Sequence, residues 1–231
     1  MTPAFRIAVA QTTATPDVRH NGRTVRRLMR EAAVQKARLL QFPEGFLSGY
    51  AKEQVDDWDD VDWPAVRDEL QQITALAGEL GIWVVLGSAH PLTPPNRPHN
   101  SLYVISDAGR IVDRYDKRFC SNTEITRFYS PGFEPVVFEV DGFRFGVNTY
   151  WVAMSLPSQT EQLMNSGIIG PDGRYLAQVD GGEGLAYADL NRSDFTVWFE
   201  LARPWRASAL EGEIYRSRKV DDPRSADRTC I

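Results

Sequence analysis

The sequence predicts an α/β protein whose strands are sandwiched between helices. Three observations carry this expectation. The first third of the chain reads β-α-β-α-β. Its third strand-like run, Ile82–Gly87 (IWVVLG), is almost wholly apolar, as expected of a strand buried on both faces. Beyond it the texture changes to short apolar runs joined by tight turns, a signature of hairpins.

Each element has its own signal. Phe5–Gln11 (FRIAVAQ) is a short apolar run rich in strand formers. A helix follows, for which Asn21 or Thr24 could serve as cap. Val25, Leu28, Met29 and Ala32 fall at helical spacing, with Arg23, Arg26, Arg27 and Arg30 around them. Leu39-Leu40-Gln41-Phe42 reads as a second strand, stopped by Pro43. A second helix spans Trp63–Leu80, with Val66, Leu70, Ile73, Leu76, Ala77 and Leu80 on one stripe. Pro64 suits its first turn and Gly81 its end. The proline-rich stretch His90–His99 reads as a surface loop. Ser101–Ser106 and Arg110–Tyr115 are strands joined by Asp107-Ala108-Gly109. Val136–Val140 and Phe143–Val147 are joined by Asp141-Gly142, the strongest short hairpin signal in the chain. Trp151–Ser155 is strand-like, Gly167–Gly170 and Arg174–Val179 form another hairpin, and Gly184–Leu190 is a further strand. The likeness between residues 106–111 and 171–175 fits two related sheets with equivalent hairpins, and equally fits the commonness of Asp-Gly-Arg turns. Arg206–Arg218 could be helical. The expected organisation is one domain over residues 1–218, incomplete after Val147, with a flexible tail over 219–231.

Composition narrows the function classes. Apolar residues make up 42% of the 231, with 6 Trp, 8 Tyr and 11 Phe, enough for a substantial core. The net charge is −5 and no Lys/Arg-rich block occurs, so nothing argues for nucleic acid as a partner. The N-terminus shows no signal-peptide pattern, and no apolar stretch reaches the ~18–20 residues needed to span a membrane. The cytoplasm is the expected compartment, and Asn191-Arg192-Ser193 is then not read as a glycosylation acceptor. Cys120 and Cys230 form neither metal spacing nor a disulfide framework. His20, His90 and His99 are each isolated in loop-like sequence, where surface exposure is the default and no metal site is supported.

Two residues attract a chemical reading. Glu44, in Phe42-Pro43-Glu44-Gly45-Phe46, lies just past a buried strand. Apolar neighbours Phe42, Phe46 and Leu47 would raise its pKa toward the range of a general base. Lys117, in Arg114-Tyr115-Asp116-Lys117-Arg118, ends a strand, where an ammonium could stabilise an oxyanion. Taken singly, an exposed turn glutamate and a solvated basic edge explain them as well.

Together and in order, and with Gly146-Val147 ending a later strand, these features resemble the nitrilase superfamily of carbon–nitrogen hydrolases. Asn100-Ser101, Ser130-Pro131-Gly132 and the Gly170-Pro171-Asp172-Gly173 turn add to the resemblance. It implies a four-layer α-β-β-α sandwich and a Glu–Lys–Cys mechanism without cofactor or metal. Glu44 would be the general base, Lys117 the oxyanion stabiliser and Glu124 a possible accessory carboxylate. The substrate would be a small amide, nitrile or carbamoyl compound. Tyr50 and Trp151 are guessed to line the pocket.

The sequence departs from that family at the nucleophile. The cysteine should follow Gly146-Val147 by about three residues, where this chain has Tyr150. A phenol of pKa ~10 is little ionised at neutral pH and does not replace a thiolate. Only Asn148, Thr149 and Tyr150 separate Val147 from Trp151, so an α-β-α segment carrying the nucleophile is inferred to be missing. Cys120, three residues after Lys117, reads more simply as the apolar continuation of a strand end than as a substitute nucleophile. Impaired hydrolysis is expected; the alternative is an inactive relative or deletion product that binds a ligand or partner chain. Loss of cover over a sheet also leads us to expect a homo-oligomer.

Overall fold

The computed structural model describes residues 5–51, 53–147, 165–170, 173–191 and 219–231. Tyr150, Trp151, the strand expected at Trp151–Ser155 and the helix expected at Arg206–Arg218 lie outside them.

A mixed six-stranded sheet organises the chain. Its strands are β1 (Phe5–Gln11), β2 (Leu39–Gln41), β3 (Trp83–His90), β4 (His99–Ser106), β5 (Arg110–Asp116) and, from later in the chain, β10 (Gly184–Leu190). The order is β10-β1-β2-β3-β4-β5. β1, β2 and β3 run parallel, linked through helices α1 (Val18–Val34) and α2 (Trp63–Leu80). β10 pairs with β1, and β4 with β3 and β5, antiparallel.

Period-two alternation puts successive side chains on opposite sheet faces. Ala8, Ala10, Leu40, Val84, Leu86, Tyr103 and Ile105 face the helices and pack on Val25, Leu28, Met29, Leu70 and Ile73. Phe5, Leu39, Val85, Leu102 and Val104 face the other way and pack on a second sheet, the hairpin β6 (Val136–Val140) and β7 (Phe143–Val147). Helices, sheet and second sheet form the layers expected of one side of the sandwich. The β6–β7 turn places both Asp141 (φ 49°) and Gly142 (φ 79°) at positive φ, as a type I′ turn requires. β8 (Gly167–Ile169) and β9 (Tyr175–Gln178) pair as a further hairpin.

Several boundaries need correction. α1 starts at Val18, capped by the Asp17 side chain, which accepts the His20 N–H at 3.0 Å. Asn21, expected as a cap, is instead a buried brace between the Thr15 backbone and the Leu47 carbonyl. β3 and β4 extend to His90 and His99, which are buried rather than surface residues. His90 contacts the Tyr103 hydroxyl at 2.7 Å and the Arg224 carbonyl at 3.0 Å; His99 contacts the Ser130 carbonyl at 2.8 Å and Ser225 Oγ at 2.7 Å.

Residues 219–231, read from sequence as a loose tail, pack against His90 and His99. A helical turn, Pro223–Ala226, is capped by Asp222, which also accepts from the Thr93 N–H and Asn96. Arg114, fully buried, pairs with Asp116 at 2.8 Å and donates to the carbonyls of Arg224, Ser225 and Asp227. One cation thus ties the tail to the end of β5. Replacing it leaves Asp116 buried without its cation, a change worth about 3–5 kcal/mol. Arg114→Leu is expected to lower unfolding free energy by that amount in urea titration; a loss below about 1 kcal/mol contradicts this role for the pair.

Candidate active site

Glu44 and Lys117 meet because β2 and β5 end at the same rim of the sheet. After β2 the chain turns at Pro43 and lies directly on β3. The Phe42 N–H donates to the Val85 carbonyl at 2.8 Å and the Leu47 N–H to the Gly87 carbonyl at 3.0 Å. Gly87 permits this approach: a Cβ there would collide with the Pro43 carbonyl, Gly45 N and Glu44 Cα. Lys117 is fixed from both sides of its backbone. Its N–H donates to the Asn100 carbonyl at 2.7 Å, and its carbonyl accepts the Gly132 N–H at 2.9 Å. Gly132 is required for a similar reason, since a Cβ would strike the Asp116 backbone and Cβ.

The Lys117 ammonium sits between two carboxylates. Nζ is 2.8 Å from Glu44 Oε1, and 2.9 and 3.2 Å from the two oxygens of Glu124. All three residues are buried. Glu124 opens a π-helical turn, Glu124–Phe128, a rare element that recurs at functional sites. Trp58 and Tyr129 pack beside it, Trp58 Nε1 donating to the Phe128 carbonyl at 2.7 Å and the Ala51 N–H to the Tyr129 hydroxyl at 3.2 Å.

The two carboxylates are treated unequally. Both oxygens of Glu124 are engaged: the Tyr50 hydroxyl donates to Oε1 at 2.9 Å and the Ser121 N–H to Oε2 at 2.6 Å, in addition to Lys117. Glu44 has both donors, Lys117 and the Asn100 amide, on Oε1. Its Oε2 is buried and has no hydrogen-bond partner among the described residues. Burial pushes the Glu44 carboxyl above its ordinary pKa, and the opposing pull of Lys117 does not cancel it. Burial also acts upward on Glu124, but Lys117 and the Ser121 N–H outweigh it and hold that carboxyl low. For Lys117 burial acts downward, and Glu44 and Glu124 together keep the ammonium above its ordinary 10.5. Two carboxylates with divergent pKa values around one cation have the pattern of an acid–base site.

The structure therefore brings together Glu44, Lys117, Glu124 and Tyr50. Tyr50, guessed to line a pocket, has its hydroxyl on Glu124. Asn100 was noted only within a motif, yet it contacts Glu44 and Lys117; its polarity at the start of a buried strand was the available signal. Cys120 is buried, its Sγ lies 3.6 Å from the Lys117 carbonyl, and burial pushes its thiol up to about 12. A thiol so protonated is a poor nucleophile. Among the described residues no cluster of three or more His, Cys, Asp or Glu could hold a metal, and no helix is long and apolar enough to cross a membrane.

This chain belongs to the carbon–nitrogen hydrolase family, whose model matches residues 6–154. It is similar to the deaminated glutathione amidases of Bos taurus, 30% identical over 123 residues, and Homo sapiens, 31% identical over 123 residues. Those matches cover 52% of this chain and 37% of each relative, so the chain spans little more than a third of their length in the match. A glutamine-dependent NAD(+) synthetase from Acinetobacter baylyi is 30% identical over 151 residues, covering 62% of this chain and 26% of that protein. In fold the chain is similar to an amidase from Nesterenkonia sp., with TM-score 0.70 and 19% identity over 89% of this chain and 97% of that one. A doubly substituted form of that amidase in complex with acrylamide gives TM-score 0.70 at 20% identity, over 90% and 98% of the two chains.

Two outcomes are expected. Since Glu124 is held below its ordinary value of 4.5, its stabilisation is present above that pH and is lost as pH falls through the depressed native value. Wild type is expected to exceed Glu124→Gln in unfolding free energy by about 3 kcal/mol near neutral pH, the gap shrinking below about pH 4.5. A gap that widens on acidification contradicts the ion pair. Alkylation of the native protein with iodoacetamide near neutral pH, read by peptide mass spectrometry, is expected to label Cys230 and spare Cys120. Rapid labelling of Cys120 would contradict its burial.

Proposed function

We propose that this chain is an amidase-type carbon–nitrogen hydrolase that keeps its acid–base machinery and lacks the group that begins catalysis. The observation that carries this reading is the asymmetric cluster: one ammonium, one carboxylate saturated with donors, and one carboxylate with a free oxygen and a raised pKa. Glu44 is the general base, its Oε2 positioned to accept a proton. Lys117 stabilises the tetrahedral oxyanion formed when a small amide is attacked. Glu124 stays ionised and, with Tyr50, keeps Lys117 charged and in place.

The full cycle needs a thiolate. A cysteine thiol would form it by passing its proton to Glu44; the sulfur would bond the amide carbon, Glu44 would return the proton to the nitrogen so that ammonia leaves, and water would hydrolyse the thioester to release the acid and restore the thiol. A Nesterenkonia amidase variant carries the acetamide moiety of fluoroacetamide at its active site cysteine. This chain has only Cys120 and Cys230, and Cys120 is buried and protonated. The cluster is then left to bind a small amide without turnover.

The test is ammonia release from a panel of short aliphatic amides and nitriles. No release above that of Glu44→Gln is expected. Release that depends on Glu44 would overturn the claim of impairment.

A further inference from the structure

Asn100 touches both charged partners of the cluster. Its side-chain amide donates to Glu44 Oε1, the oxygen that also accepts from Lys117 at 2.8 Å. Its backbone carbonyl accepts the Lys117 N–H at 2.7 Å. β4 pairs it with Ala89 of β3, and it is 1% exposed. Meanwhile Asn100 Oδ1 is buried with no hydrogen-bond partner among the described residues. A buried amide with half its capacity unmet costs stability relative to an apolar residue of the same shape. Packing alone therefore does not account for asparagine here.

We infer that Asn100 is a positioning residue that locks the carboxylate of Glu44, committing Oε1 to the ammonium and presenting Oε2 for proton transfer. Two donors on one oxygen oppose rotation about the Cγ–Cδ bond, which would otherwise exchange the two oxygens. The same two donors draw negative charge to Oε1. This inference rests on the reading of Glu44 as the general base, but its test needs no turnover. The titratable groups acting on or around Glu44 are Lys117, Glu124, Tyr50, Tyr129 and Cys120.

The experiment is a 13C NMR titration of protein labelled at the glutamate side-chain carboxyl carbon, with Glu44 assigned by Glu44→Gln. Asn100→Leu removes the donor and keeps the bulk. It is expected to raise the Glu44 midpoint by about one pH unit, the size of one hydrogen bond to a charged group, and to leave the Glu124 midpoint unmoved. A folded Asn100→Leu protein with an unchanged Glu44 midpoint overturns the inference. Should that variant not fold, the wild-type protein supplies the second measurement. Its Asn100 side-chain amide resonance is expected to titrate with the Glu44 midpoint, and an amide insensitive to that titration overturns the inference. Ammonia release in the amide panel would overturn the impaired-enzyme reading and leave Asn100 untouched; the reverse failure leaves the panel result standing.

Discussion

Everything at the rim of this sheet depends on one buried ammonium held between two carboxylates. Removing three charges from water is expensive, and the interior repays that cost only when geometry and hydrogen bonding are good. The Lys117–Glu44 and Lys117–Glu124 contacts alone leave the cluster with an excess negative charge. Neutral donors spread it: Asn100 toward Glu44, Tyr50 and the Ser121 N–H toward Glu124. They are distributed unevenly, and that unevenness separates a carboxylate that stays ionised from one that can take up a proton.

The scaffold explains why these groups can be so close. Glu44 follows β2 and Lys117 follows β5, strands at different places in the same sheet. What joins them is β3 and β4 between, with Gly87 letting the Glu44 loop lie on β3 and Asn100 at the start of β4 reaching both partners. A second charged cluster, Arg114 with Asp116, lies immediately before Lys117 and is roofed by the C-terminal turn. Residues adjacent in sequence thus serve two neighbouring networks, one at the proposed catalytic group and one that fastens the tail.

Much of this was legible in the sequence because local signals agreed with the fold. α2 runs from Trp63 to Leu80 as read, because Pro64 and Gly81 mark its ends chemically. The Asp141-Gly142 turn and the alternating strands around it declared a hairpin. Glu44 and Lys117 were singled out by position at strand ends, although neither residue alone distinguishes a site from an exposed turn. Less was legible where a distant partner decides. Asn21 resembles a helix cap, but the Leu47 carbonyl and Thr15 claim its side chain. His90 and His99 sit among prolines and look exposed, yet the chain's last residues bury them. The π-helical turn that presents Glu124 leaves no periodicity in five residues. The divergence of the two glutamates was not readable, because it arises from the burial of Glu44 and from donors that Tyr50 and Ser121 bring to Glu124 from separate places in the chain.

The chain belongs to the carbon–nitrogen hydrolase family; the amide chemistry proposed for its asymmetric cluster would need a thiol, which the three residues between Val147 and Trp151 do not contain. The most direct measurement is of the Lys117 ammonium itself, by side-chain 15N NMR of lysine-labelled protein assigned with Lys117→Arg. A cation enclosed by Glu44 and Glu124 predicts a slowly exchanging ammonium signal that titrates above 10.5. A Lys117 amine that loses its proton below that value, or exchanges with water as freely as surface lysines, would contradict it.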